Sequence, residues 1–186
     1  MMNMMEWLMA LDGDILIFIQ EKIRSGILTP IFTAVTTLGN SGSVWVSMSL
    51  LLLISKRTRK AGVMSLLALL VSLLINNVTL KNLVARVRPY ETIEGLVPLI
   101  SRPWDYSFPS GHTGSSFASA WVLYRTLPKR FGIPALILAG LIGLSRLYLG
   151  VHFPTDVLFG VISGIFSGFV AEVLVNKVFA KKGLWH

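Results

Sequence analysis

The chain has 186 residues, 53% hydrophobic and 14% charged, with seventeen Lys and Arg against nine Asp and Glu for a net charge of +8. One domain is expected at this length, and so few charges over recurrent apolar runs exclude an ordinary soluble domain and imply an integral membrane protein. The absence of cysteine excludes disulfides, thiolate nucleophiles and cysteine metal sites, three histidines make a protein-only zinc site improbable, and the basic balance reads as orientation signals and anionic-lipid contact, with no aromatic-interleaved basic patch to favour nucleic acid.

Residues 1–24 set Trp7, Leu8, Leu11, Ile15, Phe18 and Ile19 at near-helical spacing among Glu6, Asp12, Asp14, Glu21 and Lys22. This predicts an amphipathic helix at the membrane surface or packed on the rest of the protein. Residues 27–38 and 44–54 are short apolar runs separated by the turn residues Gly39-Asn40-Ser41-Gly42. Each is about 18 Å of helix against a hydrocarbon core of about 30 Å, so they either span with help from flanking polar residues or form a short hairpin. Lys56-Arg57-Thr58-Arg59-Lys60 is a basic loop, and 61–84 is a long span with Asn76, Asn77, Lys81 and Asn82 at its far end. A polar loop over 85–108 holds Pro89, Pro98 and Pro103. Spans follow at 113–127, rich in small residues, at 133–149 after the basic turn Pro128-Lys129-Arg130, and at 157–179. In the last, Gly160, Gly164 and Gly168 recur every four residues and predict close helix packing. The whole is a single all-α membrane domain over 1–186, a polytopic bundle of about six transmembrane helices with an N-terminal interfacial helix.

Charge placement orients the bundle. Twelve of the seventeen Lys and Arg, including Lys22, Arg24, the 56–60 loop, Arg125, Lys129, Arg130 and Lys177, collect on one side, which the positive-inside tendency makes cytoplasmic, with both termini. Lys81, Arg86, Arg88, Arg102 and Arg146 fall on the opposite, extracytoplasmic face. An anionic substrate is the simplest reason for cations there.

Three pieces meet on that face. Ser145 to Asp156 places Arg146, His152 and Asp156 at the edge of an apolar span, where ionisable groups are costly and commonly functional. If a helix starts near Pro154, the Asp156 carboxylate can hold one nitrogen of His152 and leave the other free; a helix cap beside an interfacial histidine accounts for the same residues. Lys81, followed after six intervening residues by Arg88-Pro89, lies at the end of the third span, and Pro109-Ser110-Gly111-His112 opens the fourth. Three cations suit a phosphate, with arginine able to hold it bidentately. Gly111 at a helix start lets backbone N–H groups approach an anion, and Ser110 can donate one more hydrogen bond. Two histidines allow one to attack phosphorus and the other to protonate the leaving oxygen, with no metal or cofactor required.

The three pieces are K-x6-R-P, P-S-G-H and S-R-x5-H-x3-D, and with them the sequence resembles the type 2 phosphatidic acid phosphatases, whose fold is shared with vanadium haloperoxidases. The resemblance covers roughly residues 61–179. It implies that His152 is the nucleophile, that Asp156 orients it, and that His112 protonates the leaving group and later activates water. It further implies that Lys81, Arg88 and Arg146 bind phosphate with Ser110 and the Gly111 backbone. Ser145 is left a packing or hydrogen-bonding role. Arg86 and Arg102 lie outside the motifs and are assigned to the loop rather than to a second phosphate, and Tyr106 and Tyr148 are placed at the mouth. The expected activity is a membrane lipid phosphatase acting through a phosphohistidine, on undecaprenyl diphosphate first and phosphatidylglycerol phosphate or phosphatidic acid next. The alternatives are a non-catalytic lipid-phosphate binding or transport protein and a haloperoxidase-like enzyme.

Overall fold

The structure is a computed structural model that describes residues 4–182, and among them every regular element is a helix. In order these are α1 (Met4–Phe18, prolonged by a π-helical turn at Ile19–Ile23), α2 (Leu28–Leu38), α3 (Ser43–Ile54) and α4 (Arg59–Ser72). A π-helical stretch, Leu73–Leu80, leads into the short α5 (Lys81–Val84); then come the short α6 (Pro89–Thr92), α7 (Gly111–Thr126), α8 (Lys129–Tyr148) and α9 (Pro154–Lys182). The stretches Arg59–Thr92, Lys129–Tyr148 and Pro154–Val178 are long and apolar enough to cross a bilayer, as are α2 and α3 taken together. The protein is a multi-pass membrane bundle. Leu73, Leu144, Ile162 and Phe166 are each about half exposed, as lipid-facing side chains would be.

The bundle is built around α7, which packs on α4, α8 and α9. Between helices in lipid the hydrophobic effect gives little, so close backbone approach and interhelical hydrogen bonds hold the packing. The predicted glycine stripe supplies the approach. A Cβ at Gly160 would stand 2.9 Å from the Ser110 carbonyl oxygen, one at Gly164 2.5 Å from that of Gly114, and one at Gly168 3.0 Å from that of Ala118. Buried hydroxyls supply the hydrogen bonds. Ser49, Ser65 and Ser119 link α3, α4 and α7 at 2.6 and 2.7 Å, and the Trp45 indole N–H donates to Ser116 Oγ at 2.9 Å.

The two short apolar runs form neither two separate spans nor a hairpin. The residues leading into α2 lie beside the C-terminal end of α8, where the Ser25 N–H donates to Tyr148 Oη at 3.0 Å. The far end of α3 joins α4 through the basic loop, with Thr58 Oγ1 donating to the Leu52 carbonyl at 2.8 Å. The pair is therefore one path from one end of the bundle to the other, bent by 47°. The bend lies at Asn40–Gly42, where Ser41 and Gly42 take positive φ of 52° and 65°.

The N-terminal helix takes the second of its two expected settings, packed on the rest of the protein. It is committed to the protein along one face: Leu16 packs with Leu96 and Phe153, and Asp12 is buried beside it. Arg24 Nε donates to the Tyr148 carbonyl at 3.0 Å and its Nη1 to that of Val97 at 2.6 Å. Arg24, and Lys22 two residues before it, thus belong to the end that carries the three motifs, where the charge count had assigned them to the basic end. From Asp12 to Arg24 the N-terminal segment is held at the motif end, while α9 runs away from that end.

Overpacking the α7–α9 contact should be costly. Gly164→Ala is expected to destabilise the protein by about 1–3 kcal/mol, seen as a lower Tm in detergent, whereas Ile162→Ala on the exposed face should stay within about 0.5 kcal/mol. Equal Tm values for the two variants would refute the close-approach account.

Candidate active site

Local backbone chemistry places each motif residue. The π-helical stretch runs directly into Lys81, and Ala85, at φ 49°, ends that helix in a left-handed turn. The chain then stays out of helix through Arg88 until Pro89 opens α6. Ser110 caps α7, its Oγ accepting from the Thr113 N–H at 3.4 Å, which leaves the first N–H groups of the helix without intrahelical partners. Gly150, at φ 71°, turns the chain after α8. Pro154 starts α9, so His152 lies in the turn and Asp156 in the first helical turn.

Lys81, Arg88, Gly111, His112, Arg146 and His152 line one cavity of about 1040 Å³. His152 is buried, with Nε2 3.3 Å from Arg88 Nη1 and Nδ1 3.5 Å from Asp156 Oδ2. A guanidinium only donates, so the Nε2 facing it presents a lone pair and the ring proton sits on Nδ1, toward the carboxylate. Burial pushes the His152 imidazole down to about 3, with the Arg88 charge adding to the effect against the pull of Asp156. The ring is therefore neutral near pH 7, with its one lone pair turned to the Arg88 guanidinium.

Asp156 lies behind His152 with no solvent exposure. Its Oδ1 accepts from Arg86 Nη1 at 2.8 Å, and its Oδ2 accepts from the Phe153 N–H at 2.9 Å and from the Ser107 hydroxyl. Arg86 also donates to Asp12 Oδ2 at 2.8 Å and to Thr155 Oγ1 at 2.7 Å, and its guanidinium lies 3.8 Å over the Phe153 ring. Arg88 is held by the Val151 carbonyl at 2.6 Å and the Asp105 carbonyl at 2.8 Å. The Asp105 carboxylate bridges Lys81 and Arg88. Burial alone would raise the Asp105 carboxyl, but the two cations outweigh it and hold it below the usual carboxylate range. Arg146 Nη1 donates to Thr36 Oγ1 at 2.6 Å, while its buried Nε has no acceptor among the described residues. Across the cavity His112 Nε2 lies 3.0 Å from Asn40 Oδ1.

Several expectations change in detail. Ser110 is buried and serves as the helix cap; it does not line the cavity, and its backbone N–H donates to the Asp156 carbonyl at 3.1 Å. Arg86, set aside as a loop residue, is the cation that neutralises Asp156. Tyr148, placed at the mouth, is buried and stacked on Phe32 at 4.4 Å; Tyr106 is partly exposed but is not among the cavity-lining residues. Arg102 does reach the cavity, above the Tyr90 ring. Ser145 makes the supporting hydrogen bond foreseen for it, to the Ile142 carbonyl at 2.6 Å. Sequence reasoning missed Asp105, Ser107, Asp12 and Asn40. For Asp105 there was a signal: an acidic residue in the loop that carries unexplained cations.

The sequence and the fold have counterparts among known proteins. A family model described as the PAP2 superfamily matches residues 61–180. The chain belongs to the PAP2 superfamily. Over 171 residues it is 33% identical to phosphatidylglycerophosphatase B of Bacillus subtilis, covering 84% of this chain and 79% of the relative. It is 37% identical over 128 residues to an undecaprenyl-diphosphatase of Sulfolobus acidocaldarius, covering 69% of this chain and 62% of that longer protein. The fold of this PAP2 protein superposes on Aquifex aeolicus LpxE with a TM-score of 0.76 and 29% identity, covering 89% of this chain and 94% of that one. A bacterial vanadium-dependent iodoperoxidase shares the fold at a TM-score of 0.71 and 16% identity, over 87% of this chain and 48% of that one.

Arg86 stands between two buried carboxylates, so removing it leaves both short of a cation. Arg86→Met is expected to cost about 3 kcal/mol or more, measured as Tm in detergent. Arg125→Met, whose pair with Glu172 is half exposed at 3.3 Å, should cost less than about 1 kcal/mol.

Proposed function

We propose that this protein is an integral membrane lipid phosphatase that hydrolyses a phosphate monoester or diphosphate through a phosphohistidine on His152. The observation that carries the reading is the placement of His152: a neutral imidazole backed by Asp156, with its unprotonated Nε2 facing Arg88 in a cavity that also holds His112, Lys81 and Arg146. In the first step Nε2 attacks phosphorus, the bond to the leaving oxygen breaks, and His112 gives that oxygen a proton. Asp156 stabilises the positive charge that forms on the His152 ring. Lys81, Arg88, Arg146 and the N–H groups at the start of α7 hold the equatorial oxygens, Arg146 Nε gaining the acceptor that the protein does not supply. In the second step His112 takes a proton from water, the water oxygen bonds to phosphorus, and the N–P bond breaks to release phosphate and restore His152. The cations supply the charge stabilisation, so no metal is required.

The substrate class follows from the setting. A cavity at the end of a membrane bundle suits a head group at the interface with its tails left in the bilayer. Undecaprenyl diphosphate is the first candidate, with phosphatidylglycerol phosphate and phosphatidic acid next; the names of the relatives are in keeping with the first two. The basic residues of the 56–60 loop, with Lys129 and Arg130, at the other end support a cytoplasmic position for that end and an extracytoplasmic one for the site.

Phosphate release by the detergent-purified protein, assayed with EDTA on these three lipids, tests the reading. Release should survive EDTA and disappear in His152→Ala, and His112→Ala should lose about 10²–10⁴ in rate on the lipids. Full activity in the His152 variant, or loss of activity to EDTA, would overturn it. A second outcome concerns Asp105. An incoming phosphate must take Lys81 and Arg88 from that carboxylate, so Asp105→Asn should make inhibition by vanadate several-fold tighter; an unchanged inhibition constant would show that Asp105 does not compete for the cations.

A further inference from the structure

The break between α2 and α3 is shaped around His112. At Gly39 a Cβ would stand 2.8 Å from His112 Cδ2 and 2.9 Å from Ile142 Cγ2, so a glycine is needed for the imidazole to lie there. The next residue, Asn40, sets its Oδ1 3.0 Å from His112 Nε2. Ser41 and Gly42 then take left-handed backbone conformations that restart the helix in a new direction. The bend is fixed on both sides: Thr36 by Arg146 at 2.6 Å, and Trp45 by Ser116 at 2.9 Å, one helical turn along α7 from His112. Asn40 and His112 both line the cavity.

A carbonyl oxygen can only accept, so Nε2 of His112 carries a proton and the plane of the ring is set by Asn40. The charged and titratable groups that face His112 are Arg146 from α8, His152 from the α8–α9 turn, Lys81 from α5 and Arg88 ahead of α6. None of these is a carboxylate, so the hydrogen-bond partner that favours a charged His112 ring is the neutral amide of Asn40.

We propose that Asn40 is a positioning residue for the leaving-group acid, holding the His112 ring toward the cavity and favouring its proton-bearing form. The inference rests on the acid role given to His112 above. It also explains why the span is broken at this level: a continuous helix through 39–42 would not present a glycine and a side-chain carbonyl to the same imidazole.

The test compares leaving groups in single-turnover release. A lipid alkoxide needs a proton to depart and p-nitrophenolate does not. Asn40→Leu is expected to slow departure of the lipid alcohol at least tenfold and of p-nitrophenolate less than threefold, both read as the leaving group set free in the first turnover, ahead of the water step that the two substrates share. Equal losses on both substrates, or no loss on either, would overturn the proposal. His112→Ala run alongside separates the two levels: if it too fails to discriminate leaving groups, the acid reading of His112 is what has failed, whereas discrimination by His112→Ala without discrimination by Asn40→Leu sinks Asn40 alone. Asn40→Asp preserves the shape and replaces the amide by a carboxylate. It should move the alkaline limb of the lipid rate profile upward by about one pH unit, as an adjacent opposite charge does; an unmoved limb counts against the proposal.

Discussion

A carboxylate shut away from water must be met by donors or it will not remain charged, and Asp156 sets that requirement for the whole motif end. Its four neighbours come from three separate parts of the chain. Arg86 reaches it from the segment after α5, Ser107 from the loop before α7, the Phe153 N–H from the turn before α9, and His152 from the same turn. Arg86 in turn needs Asp12, which ties α1 to the start of α9 through Thr155. The N-terminal helix is thus fastened at the motif end by the electrostatics of one buried acid, with Leu16 adding apolar contact beside it.

Irregular backbone concentrates at the same end. The π-helical stretch before Lys81, the left-handed Ala85, the turn at Gly150 and the break at Asn40–Gly42 all fall within or beside the cavity wall. Within a membrane such departures are tolerated where protein or a water-filled cavity covers the released polar groups, and not where lipid does. By contrast the far halves of α4, α7 and α9 are regular, and their small residues are used for contact alone. The bundle divides its length between a packed, glycine-lined half and a half whose helices are bent to aim side chains.

Much of this was legible because it is local in sequence. The four-residue step from His152 to Asp156 crosses from a turn into the first turn of a helix, and that spacing alone brings the carboxylate to one imidazole nitrogen. Lys81, Arg88, His112 and Arg146 were each readable as an ionisable group at the end of an apolar run, which is where a membrane helix can present one. The glycine stripe of α9 was readable from its period. What could not be read were partners brought together by tertiary contact. Asp12 lies 74 residues from Arg86, and Asn40 72 residues from His112; no periodicity links such pairs. The two short apolar runs misled for a related reason. Each fell short of the bilayer thickness, and the residues between them read as a loop because a bend within a span has the same Gly, Asn and Ser composition as a turn between spans.

The charges at the motif end are arranged so that the cavity is incomplete in one respect. Arg86 is fully engaged by Asp12 and Asp156, behind the cavity wall. Lys81 and Arg88 share Asp105, a residue on a loop and partly exposed, which can give way. Arg146 is buried, holds only the neutral Thr36 hydroxyl, and keeps a donor without an acceptor among the described residues. A buried guanidinium without a paired anion is costly, and of the motif cations Arg146 is the one that makes no ion pair with a carboxylate among the described residues, Asp105 acting on it only from a distance. On the proposed function, a phosphate group entering beside His152 would remove that cost at Arg146 and exchange one anion for another at Lys81 and Arg88. Its binding would then draw on a charge imbalance already present in the folded chain, and the part of the site that would move to admit it is a loop carboxylate and not a helix.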